Sequence, residues 1–185
     1  AFWIISLGLA SISMLGTGLQ FHMVSIFEDG GLSASLAAGA FMSIAITNAL
    51  VRIVSGVLID RVEVRYLLFV ALLGQTTGLL MAPRLQGAST AWIYGVVLGT
   101  TSSLQATVST VVWAKYFGRQ HLGSITGVAS LIGVVGSALG PMPMGIARDL
   151  FGSYTLALTI FAAIPLALGI VVLTSRRPVR RHSTA

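Results

Sequence analysis

The sequence predicts an all-α membrane protein, a bundle of six transmembrane helices with both termini in the cytoplasm. Hydrophobic residues make up 55% of the 185 residues and charged residues only 9%, and the mean hydropathy is +0.92. A soluble domain carries about 25% charged residues, so a water-soluble monomer of this composition would expose large apolar patches. Six spans of about 20–25 residues with short loops account for the length. An ordinary soluble domain is therefore excluded.

The apolar runs divide the chain into six candidate spans and a basic tail. Each run is long enough to cross a hydrocarbon core of about 30 Å at about 1.5 Å per residue. Each run must be helical, because lipid offers no partners to backbone amides. The spans are 2–27, 34–59, 64–82, 91–114, 123–147 and 153–174, which form one domain over 1–175, and the cytoplasmic tail covers 176–185.

Charged and turn-forming residues separate the six spans. Glycine and proline in these segments favour turns over helix, and Ser33 can cap the second span. The separators are Glu28 to Gly31, Asp60 to Glu63, Pro83 to Thr90, Gly118 to His121 and Arg148 to Gly152. All of them are short, so we expect the spans to follow one another without an inserted soluble domain.

The basic residues give the predicted orientation. Cytoplasmic loops carry an excess of lysine and arginine. One side holds only Arg84 and Arg148, whereas the other holds Arg61, Arg65, Lys115, Arg119, Arg176, Arg177, Arg180 and Arg181. The second side is therefore predicted to be cytoplasmic, and six spans place both termini there. We expect a multi-pass protein of a cell membrane, plasma or inner.

The composition also argues against other classes of protein. The net charge is +6, but the basic residues sit at span ends and in the tail, so no nucleic-acid partner is expected. The chain has no cysteine, and its three histidines lie far apart, so no metal site or cofactor is expected. No nucleophile–base pair or phosphate-binding loop is visible, so no enzyme is expected.

Arg52 is the one lysine or arginine that is placed on neither side of the membrane, in the interior of the second span. It lies seven residues before Ile59, about 10 Å from the cytoplasmic end of its helix. The same helix face carries Phe41, Asn48 and Ser55. Arginines at such depth usually face a bundle interior or a watery cavity. Arg52 is either a substrate-site residue or a structural residue that snorkels to the surface or pairs with a neighbour.

The acidic residues favour an anionic ligand for Arg52. All five lie at span ends, namely Glu28, Asp29, Asp60, Glu63 and Asp149. A buried guanidinium without an acidic partner is costly, and its planar fork matches a carboxylate. This arrangement favours a small organic anion and disfavours cationic drugs.

The fourth span carries a second polar stripe. Tyr94, Thr101, Gln105 and Ser109 share one helix face. Asn48, Tyr94 and Gln105 are therefore candidates for substrate binding beside Arg52. The alternative is hydrogen bonding between helices, which membrane bundles use routinely.

Two further features concern gating. His22, near the extracellular end of the first span, is a candidate for gating or proton coupling, because histidine exchanges protons near neutral pH; the alternative is an interfacial histidine bonded to a loop. Glycines in the fifth span predict close helix contact. Gly140-Pro141 should kink that span near its extracellular end.

Three motifs resemble the major facilitator superfamily. Gly56-x-Leu58-x-Asp60-Arg61-x-x-x-Arg65 resembles its cytoplasmic signature loop, with Glu63 and Val64 where the family usually has glycine and arginine. In this loop Gly56 should permit close helix approach, Asp60 should accept bonds from a helix N-terminus, and Arg61 should pair with acids.

The other two motifs are similar to those of monocarboxylate porters and oxalate/formate antiporters. They are Asn48-x-x-x-Arg52, and the run from Tyr116-Phe117-Gly118-Arg119 to Gly152-Ser153-Tyr154. The resemblance covers the whole chain as helices seven to twelve of a twelve-helix transporter. It implies that Arg52 binds a substrate carboxylate.

The expected function is that of the C-terminal half of a secondary active transporter. It would move a small organic anion, a monocarboxylate such as lactate or pyruvate, by alternating access, with or without a coupled proton. Its partners would be the lipid bilayer and a first six-helix half, in the same polypeptide, a partner chain or a homodimer. Two alternatives stay open: a non-transporting membrane partner or receptor with a structural Arg52, and a facilitator of sugars or drugs.

Overall fold

The computed structural model describes residues 1–175. The basic tail over 176–185 lies outside the described residues. The helices are α1 (Phe2–Phe21), α2 (Met23–Asp29), α3 (Ala34–Arg61), α4 (Val64–Met81), α5 (Ala88–Phe117), α6 (Leu122–Leu139), α7 (Pro141–Phe151), α8 (Thr155–Phe161) and α9 (Ala163–Thr174), with a 3₁₀ turn at Ala82–Arg84. The all-α prediction is confirmed over this range.

These helices coincide in position with the six predicted spans. Five helical stretches are long and apolar enough to cross a membrane: Phe2–Phe21, Ala34–Arg61, Val64–Arg84, Leu122–Phe151 and Thr155–Thr174. The 30-residue helix α5 is not among them. Its length suffices, but serines, threonines and a glutamine lower its hydropathy. The sixth span and the orientation of the termini stay predictions.

Three of the six segments are interrupted in the half nearest the predicted extracellular end. His22 leaves the helical conformation between α1 and α2, with φ −93° and ψ 6°. Gly140 separates α6 from α7, because Pro141 has no N–H to continue the bonding pattern. Ala162 separates α8 from α9, three residues before Pro165. The interruption at Gly140-Pro141 lies where a kink was predicted, and the kink itself stays a prediction; the other two interruptions were not predicted.

Close helix crossings depend on glycine. Helix α5 packs most extensively against α3, and α1 packs against α6. A Cβ on Gly99 would lie 2.7 Å from the Ile44 carbonyl oxygen of α3, and one on Gly18 would lie 2.8 Å from the Gly140 carbonyl oxygen. These distances leave no room for a side chain, so the backbones can approach only because glycine is present.

The buried core has two apolar parts with a polar layer between them. Toward the predicted extracellular end the core holds Leu15, Phe27, Leu79, Tyr94, Leu98 and Met144. Toward the opposite end it holds Ile5, Ile12, Leu72, Leu104, Trp113 and Val172. Gln75 and Thr101, both buried, lie in sequence between the two sets on α4 and α5. Polar groups therefore occupy the middle of the bundle.

Candidate functional site

A polar hollow lies between α1, α5 and α6. Its volume is about 400 Å³. Its polar lining comes from Ser6 and Ser13 on α1, Gln105, Ser109 and Thr110 on α5, and Thr126, Ser130 and Ser137 on α6. No helix of the described chain covers α6 on this side, since none of its residues is buried. This surface, with the adjoining faces of α3 and α5, is called the open face below.

Arg52 lies on the open face. It is exposed and lines a groove of about 420 Å³ together with Gly56, Asp60, Thr107 and Thr110. Thr110 also lines the hollow between α1, α5 and α6, so the groove and the hollow adjoin. Within residues 1–175 the guanidinium of Arg52 has no hydrogen bond or ion pair. An anion can therefore approach it without displacing a protein carboxylate.

Hydrogen bonds to α5 fix the helix face that carries Arg52. One turn before Arg52, the half-buried Asn48 donates from Nδ2 to Ser102 Oγ at 2.7 Å. Three residues after it, the buried Ser55 bonds to Thr107 Oγ1 at 2.7 Å. Arg52 is thus held between two interhelical contacts, and Asn48 keeps its carbonyl oxygen free to accept.

The structure separates Gln105 from Tyr94. Gln105 lines the hollow and donates from Nε2 to Ser13 Oγ at 2.7 Å and to the Leu9 carbonyl oxygen at 3.1 Å. Tyr94 is only 1% exposed and packs against Phe27 in the apolar core, with its hydroxyl unpaired among the described residues. The structure therefore brings Arg52, Asn48 and Gln105 to one face and does not bring Tyr94 there.

The predicted signature loop is an ion-paired surface, with contacts that differ from those expected. Asp60 pairs with Lys115 of α5 at 3.6 Å, and it bonds to no helix N-terminus among the described residues. Arg65 Nε pairs with Glu63 Oε2 at 2.7 Å, and the Arg65 guanidinium carbon lies 4.8 Å from the centroid of the Tyr66 ring. Lys115, which the motif does not include, holds α5 to the end of α3.

Two expectations for this loop find no partner within residues 1–175 and stay predictions. A Cβ on Gly56 would meet nothing within 4 Å, so Gly56 does not allow a close helix approach there. Arg61 makes no ion pair in this part of the chain. Gly56 instead lines the groove beside Arg52.

His22 joins three segments at the opposite end of the bundle. Its Nε2 lies 3.0 Å from the Pro141 carbonyl oxygen, and its Nδ1 lies 3.0 Å from the Tyr154 hydroxyl. Because a carbonyl only accepts, Nε2 carries a proton. The Tyr154 hydroxyl also lies 3.2 Å from Ser25 Oγ. The break after α1 is thus bonded directly to the break before α7.

An ion pair between Arg148 and Asp29 lies at the same end of the bundle as His22. Arg148 donates to the Asp29 carboxylate from Nε at 3.0 Å and from a terminal nitrogen at 2.5 Å. The Arg148 guanidinium lies 5.4 Å from the centroid of the Tyr154 ring. The ion pair connects α7 to the end of α2 beside the His22 contacts.

Comparison with known proteins decides the family. The family model described as Major Facilitator Superfamily matches residues 2–185. The chain belongs to the major facilitator superfamily. It is therefore an integral, multi-pass membrane protein of this superfamily.

A curated relative narrows the comparison within the superfamily. The chain is 28% identical over 169 residues to monocarboxylate transporter 13 of Rattus norvegicus. The match covers 89% of this chain and 40% of the relative. The chain thus spans about two fifths of the length of that curated relative.

Gln75, a residue of the polar interior, was not among the predicted site residues, although a glutamine inside an apolar span is a visible signal. It lies on α4 and lines a second, smaller pocket beside Gln105.

Proposed function

We propose that this chain forms the six-helix half of a secondary transporter that binds a small monocarboxylate, such as lactate or pyruvate. The observation that carries the proposal is Arg52, an exposed cation on a concave polar face with no acidic partner in residues 1–175. A second six-helix half would cover the open face. Alternating access would then expose the groove to each side of a cell membrane in turn.

The roles of the neighbouring groups follow from their free atoms. The guanidinium offers two parallel donors to one carboxylate. Asn48 donates to Ser102 and so presents its carbonyl oxygen to a substrate hydroxyl. Gln105 likewise uses its amide nitrogen within the bundle. One cation suits a monocarboxylate better than a dicarboxylate.

His22 is the proposed proton-coupling or gating residue. The Tyr154 hydroxyl donates to Ser25 Oγ, so its oxygen is left to accept a hydrogen bond from Nδ1. A ring with a proton on each nitrogen would therefore donate to both the Pro141 carbonyl oxygen and the Tyr154 hydroxyl oxygen. The Asp29–Arg148 pair, which faces the Tyr154 ring, is the nearest charged group given by these contacts.

We expect His22→Gln to flatten the pH dependence of carboxylate uptake. Glutamine can still donate to the Pro141 carbonyl oxygen but cannot exchange a proton near neutral pH. Uptake into proteoliposomes, measured between pH 5.5 and 8, should rise several-fold with acidity in the unmodified protein and change less than about twofold in the variant. His121→Gln is the control, because His121 is exposed and has no side-chain partner in the described chain. An unchanged pH profile in His22→Gln would leave His22 a structural, interfacial residue.

The substrate class is tested by thermal stability of the complete protein in detergent. A ligand that binds only the folded state stabilises it, by about 2.7 kcal/mol at a concentration about 100 times its Kd. We expect lactate or pyruvate to raise the melting temperature, and glucose and a cationic dye to leave it unchanged. Protection by glucose or the dye would favour a facilitator of sugars or drugs. No protection by any of these compounds would favour a non-transporting partner.

A further inference from the structure

Gln75 is a buried amide without a hydrogen-bond partner. Its side chain is 1% exposed, and no group within residues 1–175 bonds to it. Most buried polar groups in native proteins are bonded, so each exception calls for an explanation. In a membrane span the cost of such a group is higher, since lipid cannot supply the missing bond.

The side chain of Gln75 lines a neutral polar pocket of about 170 Å³. The other lining residues are Ile12, Ser13, Gly16, Thr17 and Gln20 of α1, Leu98, Thr101, Ser102 and Gln105 of α5, and Ser137 of α6. Several of the donors are already used, because Thr101 donates to the Val97 carbonyl oxygen and Ser102 to that of Gly99. The amide of Gln75 is therefore available to a bound molecule. Because none of the lining residues is charged, the pocket suits a neutral hydrogen-bonding group.

The pocket is larger than a single structural water requires. A water molecule takes up about 30 Å³ of liquid volume, against about 170 Å³ here. Ser13, Gln105 and Ser137 line both this pocket and the hollow of the open face. At its rim, Ser102 accepts the hydrogen bond of Asn48. A ligand on the open face can therefore extend into the pocket past Ser13, Gln105 and Ser137.

The distance from Arg52 sets the length of that ligand. The groove at Arg52 is lined by α5 residues within 106–111, and the Gln75 pocket by α5 residues within 98–105. The two sets are centred about seven residues apart, or roughly 10 Å along the helix. In lactate and pyruvate the second polar group is on the carbon next to the carboxylate, so these acids fill only the Arg52 end.

We propose that the Gln75 pocket binds the neutral polar end of a longer monocarboxylate whose acid group lies at Arg52. The ligand class is an acid with a terminal hydroxyl, carbonyl or amide several carbons from the carboxylate. This inference rests on the proposed function, because it takes Arg52 as the carboxylate site. Gln75 acts as a specificity-determining residue of that site.

The test compares hexanoate with 6-hydroxyhexanoate as ligands of the complete protein, titrated by thermal protection in detergent. We expect the unmodified protein to bind the hydroxy acid more tightly than hexanoate. Gln75→Leu should lower this preference about tenfold. Gly16→Ala should lower the affinity for the hydroxy acid in the same way, because the added Cβ would lie 3.8 Å from Gln75 Oε1 and occupy part of the pocket. Thr77→Val is the control, an exposed α4 position outside the pocket.

The folding of Gln75→Leu separates binding from structure. Because the amide has no partner in the described chain, leucine should leave the melting temperature of the ligand-free protein unchanged or raise it. A lower melting temperature would make Gln75 a structural residue and overturn the inference. Equal affinity for the two acids in the unmodified protein, or an unchanged preference in Gln75→Leu, would mean that only water fills the pocket.

The response to Arg52→Gln distinguishes a wrong second subsite from a wrong carboxylate site. If that variant lowers the affinity for both acids while Gln75→Leu leaves the ratio of the two affinities unchanged, the carboxylate site is supported and the second subsite is wrong. If Arg52→Gln weakens neither acid, the carboxylate site itself is wrong.

Discussion

Replacing Arg52 by glutamine is expected to lower the affinity for carboxylates by about 10- to 100-fold. The variant loses a charge-assisted bidentate contact, and hydrogen bonds to charged groups contribute about 1.5–3 kcal/mol each. Folding should be unaffected, because Arg52 is exposed and makes no ion pair in residues 1–175. The measurement is the concentration dependence of lactate or pyruvate uptake into proteoliposomes containing the complete protein.

Two further substitutions serve as controls for this result. Arg52→Lys keeps the charge but loses the planar fork, so its affinity should fall between those of the unmodified protein and Arg52→Gln. Arg84→Gln removes an exposed arginine at the other end of the bundle, where it donates to the Leu80 carbonyl oxygen, and should leave uptake unchanged. A loss of folded protein in Arg52→Gln, with normal affinity in the part that folds, would make Arg52 a structural residue.

Replacing Gly140 by alanine is expected to destabilise the bundle by about 3 kcal/mol or more. A Cβ at this position would overlap the Met14 carbonyl oxygen and lie 3.0 Å from its carbonyl carbon and 3.1 Å from the Gly18 nitrogen. These are backbone atoms, so α1 and α6 must move apart to admit the methyl group. Overpacking that forces side chains and backbone to shift costs about 1–3 kcal/mol and occasionally more, and this contact is between two backbones. Thermal unfolding of the solubilised protein measures the effect.

Gly133→Ala is the matched control on the same helix. Nothing lies within 4 Å of a Cβ at Gly133. Alanine is the better helix former by about 1 kcal/mol, so this variant should be as stable as the unmodified protein or more so. If Gly140→Ala unfolded at the same temperature as Gly133→Ala, the close crossing of α1 and α6 would be wrong.

Hydropathy was enough to predict where the helices lie, because lipid imposes both length and helical bonding. It was also enough to single out Arg52, since a lone cation in an apolar run is visible without a structure. The break at Gly140-Pro141 followed from proline chemistry. The break at His22 had no comparable signal, because it depends on contacts with Pro141 and Tyr154, more than a hundred residues away.

The stripe on α5 shows the limit of helical periodicity. Spacing placed Tyr94 and Gln105 on one face, but periodicity does not say which neighbour that face meets at each level. At Gln105 the neighbour is α1 and the hollow, whereas at Tyr94 it is the apolar core around Phe27. Gln75 was missed for the same reason, because only tertiary packing shows that its amide lines a pocket and lacks a partner.

The three helix interruptions give the bundle an uneven stiffness. His22, Gly140 and Ala162 interrupt three of the six segments, each about seven to eleven residues, or roughly 10–17 Å, from the predicted extracellular end. The long helices α3 and α5 run without a break over 28 and 30 residues. Bending of a helix concentrates where its hydrogen-bond ladder is interrupted. Within residues 1–175 the helices α3, α4 and α5 are therefore continuous and the other three segments are interrupted, so bending near the outer end can leave the helices that hold Arg52 unmoved.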